Sequence, residues 1–342
     1  MASDIRVGIV GCGKIAERNH LPGFLGVQGT TVTALCDIVP ERMKEKQAEF
    51  APDAALISDY HELYASGLVD AVAICTPNDL HCPMTLAACE AGLHVLCEKP
   101  MAASLAEATE MIEAAKAAGV VLQINQSMRY NATYQTLVNL VHGGAIGEPF
   151  HVRCIRGGAG TPNKGWSPGA DWFVQSKRQG GLLLDIGIHM ADLLRMIMGD
   201  ADKVAGLVDT RLPDIDVPDN VNALYRFKNG GTGMLELSWT LPGGAGFLEV
   251  YGTTGRLRMG FTEQSIELTA LGDGDPVTSY PTPVPCANSQ FVFRQAILGE
   301  APSLTPGEYG RRALALCLAA LESSGKSEFV PVPLFDGDND IC

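Results

Sequence analysis

The first third of the chain alternates short apolar runs with amphipathic segments. The apolar runs have the length of β-strands and cover residues 5–11, 31–37, 54–58, 70–76, 94–99 and 120–125. The clearest helix between them reads SLAEATEMIEAAKAAG, in which Ser104 and Glu107 form a capping box and Gly119 is placed to end the helix. Near-continuous apolar strands that alternate with helices are typical of a parallel sheet covered on both faces. The pattern predicts a doubly wound α/β Rossmann domain over residues 1–126.

A different pattern follows a further helix signal around residues 132–142. From about residue 150 the apolar positions recur mostly at every second residue, and NVNALYRF and TGMLELSW flank KNGG, which is typical of a hairpin. The segments GFLEVYG, RLRMG and SIELTA add further strands, and helices are predicted to begin near Asp185 and to run from about 306 to 323. Residues 127–342 therefore predict an α+β domain with a mostly antiparallel sheet.

The composition is that of a globular protein. The chain has 342 residues, enough for two domains, of which 46% are hydrophobic and 19% charged. A net charge of -14 without any basic run disfavours nucleic acid and anionic membranes as partners. The ten cysteines form no C-x-x-C pair and mostly lie in apolar runs, so we expect reduced, packed thiols. Because no signal-peptide pattern and no apolar stretch of about 18 residues is found, we expect a cytoplasmic protein.

The stretch GIVGCGKIA places Gly11, Gly13 and Ala16 in the pattern G-x-G-x-x-G/A between a predicted strand and a predicted helix. The glycines allow the backbone to turn tightly and to approach a pyrophosphate, whose charge meets the unpaired N–H groups at the helix start. A glycine turn without nucleotide is the alternative, which the strand and helix on either side disfavour. The stretch therefore predicts a dinucleotide site.

Asp37 closes the second predicted strand, where a carboxylate can accept hydrogen bonds from an adenosine ribose. Its charge would repel a 2′-phosphate, and the next residue is Ile38 rather than an arginine that could bind one. We therefore expect NAD as the cofactor. Arg42, five residues further on, keeps NADP as the less favoured alternative.

Two further strand ends carry polar side chains, and ligands of an open parallel sheet gather outside the carboxyl ends of its strands. In CEKP, Pro100 restricts Lys99 toward extended geometry that aims its side chain into the crevice, with a solvated lysine as the alternative. In TPNDLH, which ends the fourth strand, Thr76, Asn78 and His81 are candidates for lining the ribose and the nicotinamide. Asn78 could equally cap the following helix.

The stretch GGLLLDIGIHMADLL, residues 180–194, places a carboxylate and an imidazole in an otherwise apolar helix. If the helix starts near Asp185, then residues 185, 189 and 192 share one face, so Asp185 and His189 point the same way. The partial positive charge of a helix start opposes protonation of the imidazole, and a general base must be neutral. A satisfied core histidine with Asp185 as a cap is the alternative. A metal site is disfavoured because no third ligand is spaced with the pair.

Together these motifs favour hydride transfer. A nicotinamide accepts hydride from a carbinol carbon when the hydroxyl proton is removed and the growing oxyanion is stabilised. His189 can take the proton, Lys99 can orient the hydroxyl and stabilise the alkoxide, and Asp185 can hold a neighbouring hydroxyl. The predicted activity is that of an NAD-dependent dehydrogenase acting on a secondary hydroxyl of a sugar, a sugar acid or other sugar derivative, or a cyclitol.

The chain resembles the glucose-fructose oxidoreductase, inositol dehydrogenase and rhizopine catabolism (Gfo/Idh/MocA) oxidoreductases over nearly its whole length, through the motifs quoted above together with QINQSMRY and SGKSEFVPVPL. The resemblance implies that Lys99, Asp185 and His189 form the catalytic trio of E-K-P and D-x-G-x-H, and that the bond after the lysine is often cis. It also implies a second domain with a large open-faced sheet through which subunits pair, and hence a homo-oligomer, a dimer or a tetramer. The candidate cofactor site further includes the motif neighbours Lys14, Ile15, Pro77, Glu98 and Gln126.

The chain departs from the family pattern at one motif. Many members read G-F-N-R-R-F where this chain reads N-Q-S-M-R-Y at residues 125–130, and these replacements could reshape the pocket. Arg129 is kept and is a candidate substrate contact. The alternative is that Arg129 only ties the domains together.

The loop GTPNKGWSPGADWF, residues 160–173, leads into the catalytic helix. Its Trp166 and Trp172 are candidates for stacking on a sugar ring, because an aromatic face suits the apolar face of a pyranose. Anchoring of the loop is the alternative for both. Asn163 is a candidate hydrogen-bond partner of the substrate, as are Lys164 and Asp171.

Two other readings keep the fold and change the chemistry. A nucleotide-sensing regulator would bind the cofactor without catalysis, since a fold does not imply an activity; retention of all three catalytic candidates argues against it. A glycosidase-type enzyme, known in the family, would retain NAD(H) and oxidise and re-reduce one sugar, so that a glycosidic bond breaks without net redox.

Overall fold

A computed structural model describes residues 4–262, 265–272, 277–281 and 287–335. The chain folds into two compact units. The first comprises Met1–Ser127 and Ala287–Arg311, and the second comprises Met128–Cys286 and Arg312–Cys342. The first junction lies beside the boundary after residue 126 that the sequence pattern predicts. The return of Ala287–Arg311 to the first unit has no counterpart in that prediction, because a short amphipathic helix carries no sign of which sheet it packs on.

The first unit is built on a six-stranded sheet. Its strands are β1 Ile5–Val10, β2 Thr30–Cys36, β3 Ala55–Ile57, β4 Ala71–Ile74, β5 His94–Cys97 and β6 Leu122–Ile124. The order is β3-β2-β1-β4-β5-β6, and every pair is parallel. The central strands β1 and β4 are almost wholly buried, as expected for a sheet with helices on both faces. This topology confirms the doubly wound α/β domain predicted from the apolar runs.

Helices connect these strands within residues 4–127. They are α1 Leu21–Leu25, α2 Pro40–Phe50, α3 Tyr60–Ala65, α4 His81–Glu90 and α5 Leu105–Ala118. The start and end of α5 follow its sequence signals, since the Glu107 N–H donates to Ser104 Oγ at 3.2 Å and Gly119 adopts φ +67° directly after the helix. The short connections bring the carboxyl ends of β1, β2, β4, β5 and β6 to one edge of the sheet.

The second unit is built on a nine-stranded sheet. Its strands are β7 Pro149–Ala159, β8 Ala201–Asp209, β9 Asn220–Phe227, β10 Thr232–Ser238, β11 Thr240–Gly252, β12 Gly255–Gly260, β13 Ser265–Ala270, β14 Val277–Pro281 and β15 Val330–Pro331. The order is β14-β13-β12-β11-β7-β10-β9-β8-β15, and among these strands the pair β7 and β10 alone is parallel. The hairpin β9–β10 turns at Gly230, which has φ +85°. The mostly antiparallel sheet is therefore confirmed.

One face of this sheet is covered by helices and the other carries exposed side chains. The helices of this unit are α6 Ala132–His142, α7 Ile188–Met198 and most of α9 Gly307–Lys326, whereas α8 Ser289–Ile297 belongs to the first unit. On the covered face, Tyr225 of β9 is buried and its hydroxyl donates to the Leu316 carbonyl of α9 at 3.3 Å. On the other face, Leu224 is 44% exposed and Leu207 is 70% exposed.

Across the described residues, no helix has the length and apolar character needed to cross a membrane.

The helix α8 belongs to the core of the first unit. Phe293 is fully buried there in one cluster with Leu21 and Phe24 of α1. The Gln123 side chain of β6 donates to the Ser289 carbonyl at 2.8 Å, which ties the edge strand to the same helix. The first unit thus completes its core with residues from near the end of the chain.

Candidate active site

The glycine fingerprint forms a tight turn after β1 and leaves open space beside it. Gly11 has φ +92°, and a Cβ there would lie 2.8 Å from the carbonyl group of Cys75, so a side chain is excluded. A Cβ at Gly13 would meet no atom within 4 Å. Helical hydrogen bonding begins at once, with the Glu17 N–H donating to the Gly13 carbonyl at 3.1 Å. An accessible backbone turn at a helix start suits a pyrophosphate, so these residues fit the predicted dinucleotide.

The two fingerprint residues between Gly13 and Ala16 hold this turn in place. Ile15 packs against the hydrophobic core, and Lys14 Nζ lies 2.8 Å from Glu17 Oε1. The buried Lys46 of α2 pairs with the same carboxylate. Hydrogen bonds from Lys14 and Lys46 lower the pKa of Glu17. Both side chains are therefore engaged within the protein, and the backbone of this segment is the part suited to a cofactor.

Asp37 follows β2 behind the glycine turn, and both of its carboxylate oxygens accept backbone hydrogen bonds. Oδ2 accepts from the Cys12 N–H at 2.8 Å, and Oδ1 accepts from the Val39 N–H at 2.9 Å. The exposed Arg42 places Nη1 4.0 Å from Oδ1. Each carboxylate oxygen can accept a second hydrogen bond, so the group can fix the turn and still bind a ribose hydroxyl.

The motif after β4 is held by a buried imidazole. Thr76 and Pro77 are half-buried and Asn78 is buried. His81 is fully enclosed, with Nδ1 2.7 Å from the Pro100 carbonyl oxygen and Nε2 2.9 Å from the Thr76 carbonyl oxygen. Burial lowers the pKa of His81, against the opposing effect of the two carbonyls. Because both ring nitrogens lie against backbone carbonyls, the structure assigns His81 to positioning these two strand ends rather than to the predicted contact with the cofactor.

The E-K-P segment lies beside a buried polar cluster. The Lys99–Pro100 bond is cis, as the resemblance implies. Glu98 is buried, its Oε1 accepting from Asn125 Nδ2 at 2.6 Å and lying 2.7 Å from His20 Nε2. Burial alone would raise the pKa of Glu98, but His20 and Asn125 hold that pKa below its ordinary value. Glu98 is therefore a buried carboxylate that fixes the backbone before Lys99, rather than a group directed at a cofactor.

Gln126, directly after the cluster residue Asn125, is buried, and neither its amide oxygen nor its amide nitrogen has a hydrogen-bond partner among the residues that the structure describes. Leaving such groups unpaired is costly, and buried amides in native proteins are nearly always satisfied. This amide and the open side of Gly13 are two independent features of the first unit that fit a bound dinucleotide.

In the second unit, the helix with the D-x-G-x-H motif starts after two glycines. A Cβ at Gly180 would lie 2.4 Å from the Phe173 carbonyl oxygen, and Gly181 has φ +113° while its N–H donates to the same oxygen at 2.8 Å. The chain then forms a π-helical turn at Leu183–Gly187 before α7. Single π-helical turns occur frequently at functional sites. The predicted helix is thus present, with a wider first turn than the sequence indicates.

Asp185 lies in this π-helical turn, and His189 is the second residue of α7. Both side chains are buried. Lys99, the third member of the predicted trio, belongs to the first unit. The structure therefore places a carboxylate and an imidazole on one helical segment of the second unit and a lysine at a strand end of the first.

Arg129, predicted to contact substrate, instead forms a buried bidentate ion pair with Asp192. Nε lies 2.7 Å from Oδ2 and Nη2 lies 2.7 Å from Oδ1, with the two side chains 8% and 4% exposed. Asp192 is one helical turn beyond His189, on the face that the sequence pattern predicts. The two parallel hydrogen bonds engage the guanidinium fork of Arg129, so the structure assigns it to stabilising α7.

A cavity of about 360 Å³ lies in the second unit, with Asp185 in its wall. Its volume is at the small end of the range for ligand sites. The wall contributed by β7 and the following loop is rich in glycine, and a Cβ at Gly158 would meet no atom within 4 Å. Its polar and aromatic lining residues are Arg156, Thr161, Lys164, Trp166, Asp185, Ser238 and Trp239.

The two tryptophans of the loop have different surroundings. Trp166 lines the cavity and is 36% exposed, with its ring at 70° to the Phe173 ring and the centroids 5.3 Å apart. Trp172 is stacked on Phe173 at 3.7 Å and is not among the lining residues. Trp166 thus fits the predicted sugar contact, whereas the structure assigns Trp172 to anchoring the loop.

The polar residues of the loop divide in the same way. Asn163 Oδ1 accepts from Thr161 Oγ1 at 2.7 Å, and its Nδ2 donates to Asp171 Oδ1 at 2.8 Å. Neither Asn163 nor Asp171 lines the cavity, whereas Lys164 does. Asn163 therefore holds the loop together rather than facing a ligand.

Several residues of these sites were missed by the sequence reasoning. His20 and Gln290 join the cluster at Glu98, and Gln290 could not be found because its helix returns from a distant part of the chain. Arg156 could have been found from the sequence, because it lies two residues after Cys154 and four after Val152, which are buried. This spacing puts all three on one face of β7, so Arg156 places a charge on the covered face of the sheet.

Comparison with known proteins places both halves of the chain in one family. A model described as the oxidoreductase family with NAD-binding Rossmann fold matches residues 5–126, and the GFO/IDH/MocA C-terminal domain matches residues 134–258. A 1,5-anhydro-D-fructose reductase of Ensifer adhaerens is 31% identical over 339 residues, covering 94% of this chain and 97% of its own. A myo-inositol 2-dehydrogenase of Thermotoga maritima is 29% identical, covering 93% and 96%.

Solved structures agree with these sequence relatives. The crystal structure of an oxidoreductase from Thermotoga maritima superposes with a TM-score of 0.86 at 26% identity, covering 96% of this chain and 98% of that one. The match spans the parallel sheet and the mostly antiparallel sheet alike. With matches to both family domains and a relative at 31% identity over nearly its whole length, this chain belongs to the Gfo/Idh/MocA family of NAD(P)-dependent oxidoreductases.

Proposed function

We propose that this protein is an NAD-dependent dehydrogenase that transfers hydride from a secondary hydroxyl carbon of a sugar, a sugar derivative or a cyclitol. The observation that carries the proposal is the cavity of the second unit, whose lining includes both Asp185 and Trp166. Relatives that act on an anhydrosugar and on myo-inositol support this substrate class. A carboxylate that binds hydroxyls and an indole that packs on the apolar face of a ring are what such a substrate requires.

In the proposed mechanism each catalytic residue has one task. The bound nicotinamide supplies the hydride acceptor. His189 accepts the proton of the reacting hydroxyl as the hydride leaves its carbon, and Asp185 accepts a hydrogen bond from a neighbouring hydroxyl, which fixes the ring. The ammonium of Lys99 orients the reacting hydroxyl and stabilises the developing alkoxide. The product is the corresponding ketone.

Positioning of Lys99 falls to the residues around it. The Glu98 carboxylate is fixed by His20 and Asn125, and the His81 ring bonds the Pro100 carbonyl. These contacts restrict the backbone on both sides of Lys99, so the ammonium can be held in one place without a large reorganisation during the reaction.

We propose NAD rather than NADP as the cofactor. Asp37 is held by two backbone N–H groups, so its negative charge is fixed where a 2′-phosphate would have to bind. Arg42 lies close enough to that carboxylate to be engaged by it. Replacing Arg42 with glutamine should leave NAD affinity within about twofold; a large loss of NAD affinity, or a wild-type preference for NADP, would contradict this assignment.

A homo-oligomer, a dimer or a tetramer, formed through the exposed face of the nine-stranded sheet is also proposed. Leu207 and Leu224 are exposed on that face, and exposed apolar side chains on a broad sheet face favour association. Sedimentation should give a mass that is a multiple of the chain mass, and Leu224→Lys should shift it toward the monomer. A monomeric wild-type protein would rule out this arrangement.

A reducing, cytoplasmic setting is supported by the cysteines. Eight of them lie in the described part of the chain, and each is buried as a free thiol. Burial raises the pKa of Cys12 and Cys36 to about 12, so both stay protonated and unreactive. Packed, protonated thiols of this kind suit a compartment in which disulfides are not formed.

The experiment that tests the proposed activity replaces His189 with alanine. NADH formation from a responsive polyol should fall by about 10² to 10⁴, the usual contribution of a positioned base, while NAD affinity stays near wild type. His142→Ala, which removes an exposed imidazole from the end of α6, is the matched control and should keep full activity. Turnover that survives in His189→Ala would refute the base assignment.

Two further measurements address the alternatives. Tight NAD binding without NADH formation from any polyol of a broad panel would favour a nucleotide-sensing regulator. Mass spectrometry of the denatured protein would detect a retained dinucleotide, which a glycosidase-type enzyme needs and an ordinary dehydrogenase does not. We expect little retained cofactor and net NADH formation.

A further inference from the structure

The cavity of the second unit carries more positive than negative charge, although the chain as a whole is strongly acidic. Its ionisable lining residues are Arg156, Lys164 and Asp185, in a protein whose formal net charge is -14. The proposed chemistry uses Asp185 for a hydroxyl and leaves both cations without a task. Two cations in the lining of one small cavity, in a protein that is acidic overall, favour a ligand that carries negative charge.

Arg156 is half-buried on the covered face of β7 with its guanidinium against weak partners. Nη1 lies 3.7 Å from Met128 Sδ, and the guanidinium carbon lies 5.2 Å from the centroid of the Phe261 ring. Within residues 4–262, 265–272, 277–281 and 287–335, no carboxylate forms an ion pair with it. A guanidinium has five N–H donors, and a thioether is a weak acceptor, so most of its hydrogen-bonding capacity remains for a ligand.

Two buried arginines of the same unit, Arg129 and Arg195, differ from Arg156 in having a carboxylate partner. Arg129 is paired with Asp192, and Arg195 donates to Asp200 at 2.8 Å. Each of those side chains stabilises the protein through a carboxylate. Arg156 is held instead by an aromatic ring and a sulfur, which fix the plane of the guanidinium without neutralising its charge.

Lys164 adds a second cation at the rim of the cavity. It ends a short 3-10 turn, Pro162–Lys164, and its N–H donates to the Thr161 carbonyl at 3.1 Å, so its backbone is fixed. The side chain is exposed and forms no salt bridge within the part of the chain that the structure describes. A rim ammonium attracts an anion, whereas a planar guanidinium inside binds the anion in a defined orientation.

We propose that the substrate is a small sugar or polyol that carries an anionic group, bound by Arg156 and Lys164 while Asp185 holds a hydroxyl at the reacting end. The inference rests on the proposed function and narrows its substrate class. The anion is not changed in the reaction, since hydride leaves a carbinol carbon and the proton leaves its hydroxyl. A carboxylate and a phosphate ester present the same chemistry to these two cations, and the experiment separates them.

The test compares matched pairs of substrates with the purified full-length protein and NAD. The pairs are glucuronate and glucose, galacturonate and galactose, gluconate and sorbitol, and glucose 6-phosphate and glucose. At least one anionic member should have a kcat/KM about tenfold or more above its neutral partner, because hydrogen bonds to charged groups exceed neutral ones in strength. The pair that responds identifies carboxylate or phosphate.

Charge variants then locate the effect. Arg156→Gln and Lys164→Met should each raise KM for the anionic substrate, Arg156→Gln by about tenfold or more, with little change in kcat and with the neutral partner affected less than about twofold. Arg156→Lys should recover part of the loss. Lys228→Met, which removes an exposed ammonium at the β9–β10 turn, is the control and should change neither KM. Lys164 is exposed, so its variant remains informative if Arg156→Gln folds poorly.

The outcomes are distinguishable from those for the proposed function. Neutral members that react as well as anionic ones, or variants that lower both members of a pair equally, overturn this inference and leave the dehydrogenase activity standing. A panel in which no member yields NADH, from protein that binds NAD, overturns both. Selective loss of the anionic member in both charge variants supports the assignment.

Discussion

The buried ion pair between Arg129 and Asp192 makes a quantitative prediction about stability. Arg129→Met leaves the Asp192 carboxylate buried without its bidentate partner, so the free energy of unfolding of the second unit should fall by about 3–5 kcal/mol. Adding Asp192→Leu removes the stranded charge and should recover most of that loss, because well-packed apolar residues often replace a buried pair at little cost. The comparison pair is Arg211–Asp209 of the same unit, at 3.0 Å and 67% and 57% exposed; Arg211→Met should cost about 1 kcal/mol or less.

The assay uses the distribution of tryptophans. The chain has three, at 166, 172 and 239, and all lie in the second unit, so denaturant unfolding followed by their fluorescence reports on that unit. The single variant should shift the midpoint to lower denaturant, and the double variant should shift it back. If Arg129→Met keeps wild-type stability within about 1 kcal/mol and instead raises KM, then Arg129 is a substrate contact and the structural assignment fails.

Four other variants give further tests. Gly180→Ala places a Cβ against backbone carbonyls and should lower the free energy of unfolding of the second unit by about 1–3 kcal/mol or more. Gly158→Ala places its Cβ in open space and should change that free energy by no more than about 0.5 kcal/mol. Equal denaturation midpoints for the two variants would contradict this prediction. Gly13→Val should weaken NAD binding about tenfold or more in titrations, without a loss of stability that would explain it. Burial lowers the pKa of His94 below its ordinary 6.5, and His94 Nδ1 accepts a hydrogen bond from the Val121 N–H. The unfolded state therefore binds more protons than the folded state, so stability should be lost as pH falls below about 6.5. His94→Asn should flatten this pH dependence of stability between pH 7.5 and 5.5, and an unchanged slope would refute the assignment to His94.

The fold was predictable because its main features are local in sequence. Each predicted strand of the first unit is present, with ends displaced by at most two residues, since an apolar run shows that a strand is buried but not where its ladder stops. Gly11 and Gly119 were predictable for the same reason, as a positive φ at a turn or helix end is a local requirement. The hairpin between β9 and β10 was predictable from its two turn residues, Asn229 and Gly230, alone.

The side-chain roles were less predictable because they depend on distant partners. Arg129 carries no local sign of Asp192, which is 63 positions away and takes both arms of its guanidinium. The sequence places His81 just after a strand, which made it a candidate cofactor contact. Its ring nitrogens instead lie against the carbonyls of Thr76, five residues earlier, and Pro100, nineteen residues later. Arg156 was overlooked because a charge in a strand is usually solvated, although its spacing from the apolar Val152 and Cys154 places it on their face of β7.

The return of Ala287–Arg311 to the first unit bears on how the protein is made and dissected. During synthesis, the Rossmann sheet emerges long before Phe293, which fills its core, and before Gln290, which joins its buried cluster. A truncated chain that stops after Ser127 would therefore expose apolar surface that the complete protein covers. Cofactor binding studied on such a fragment would report on an unfinished nucleotide domain, so the smallest meaningful unit for experiments extends at least to residue 311.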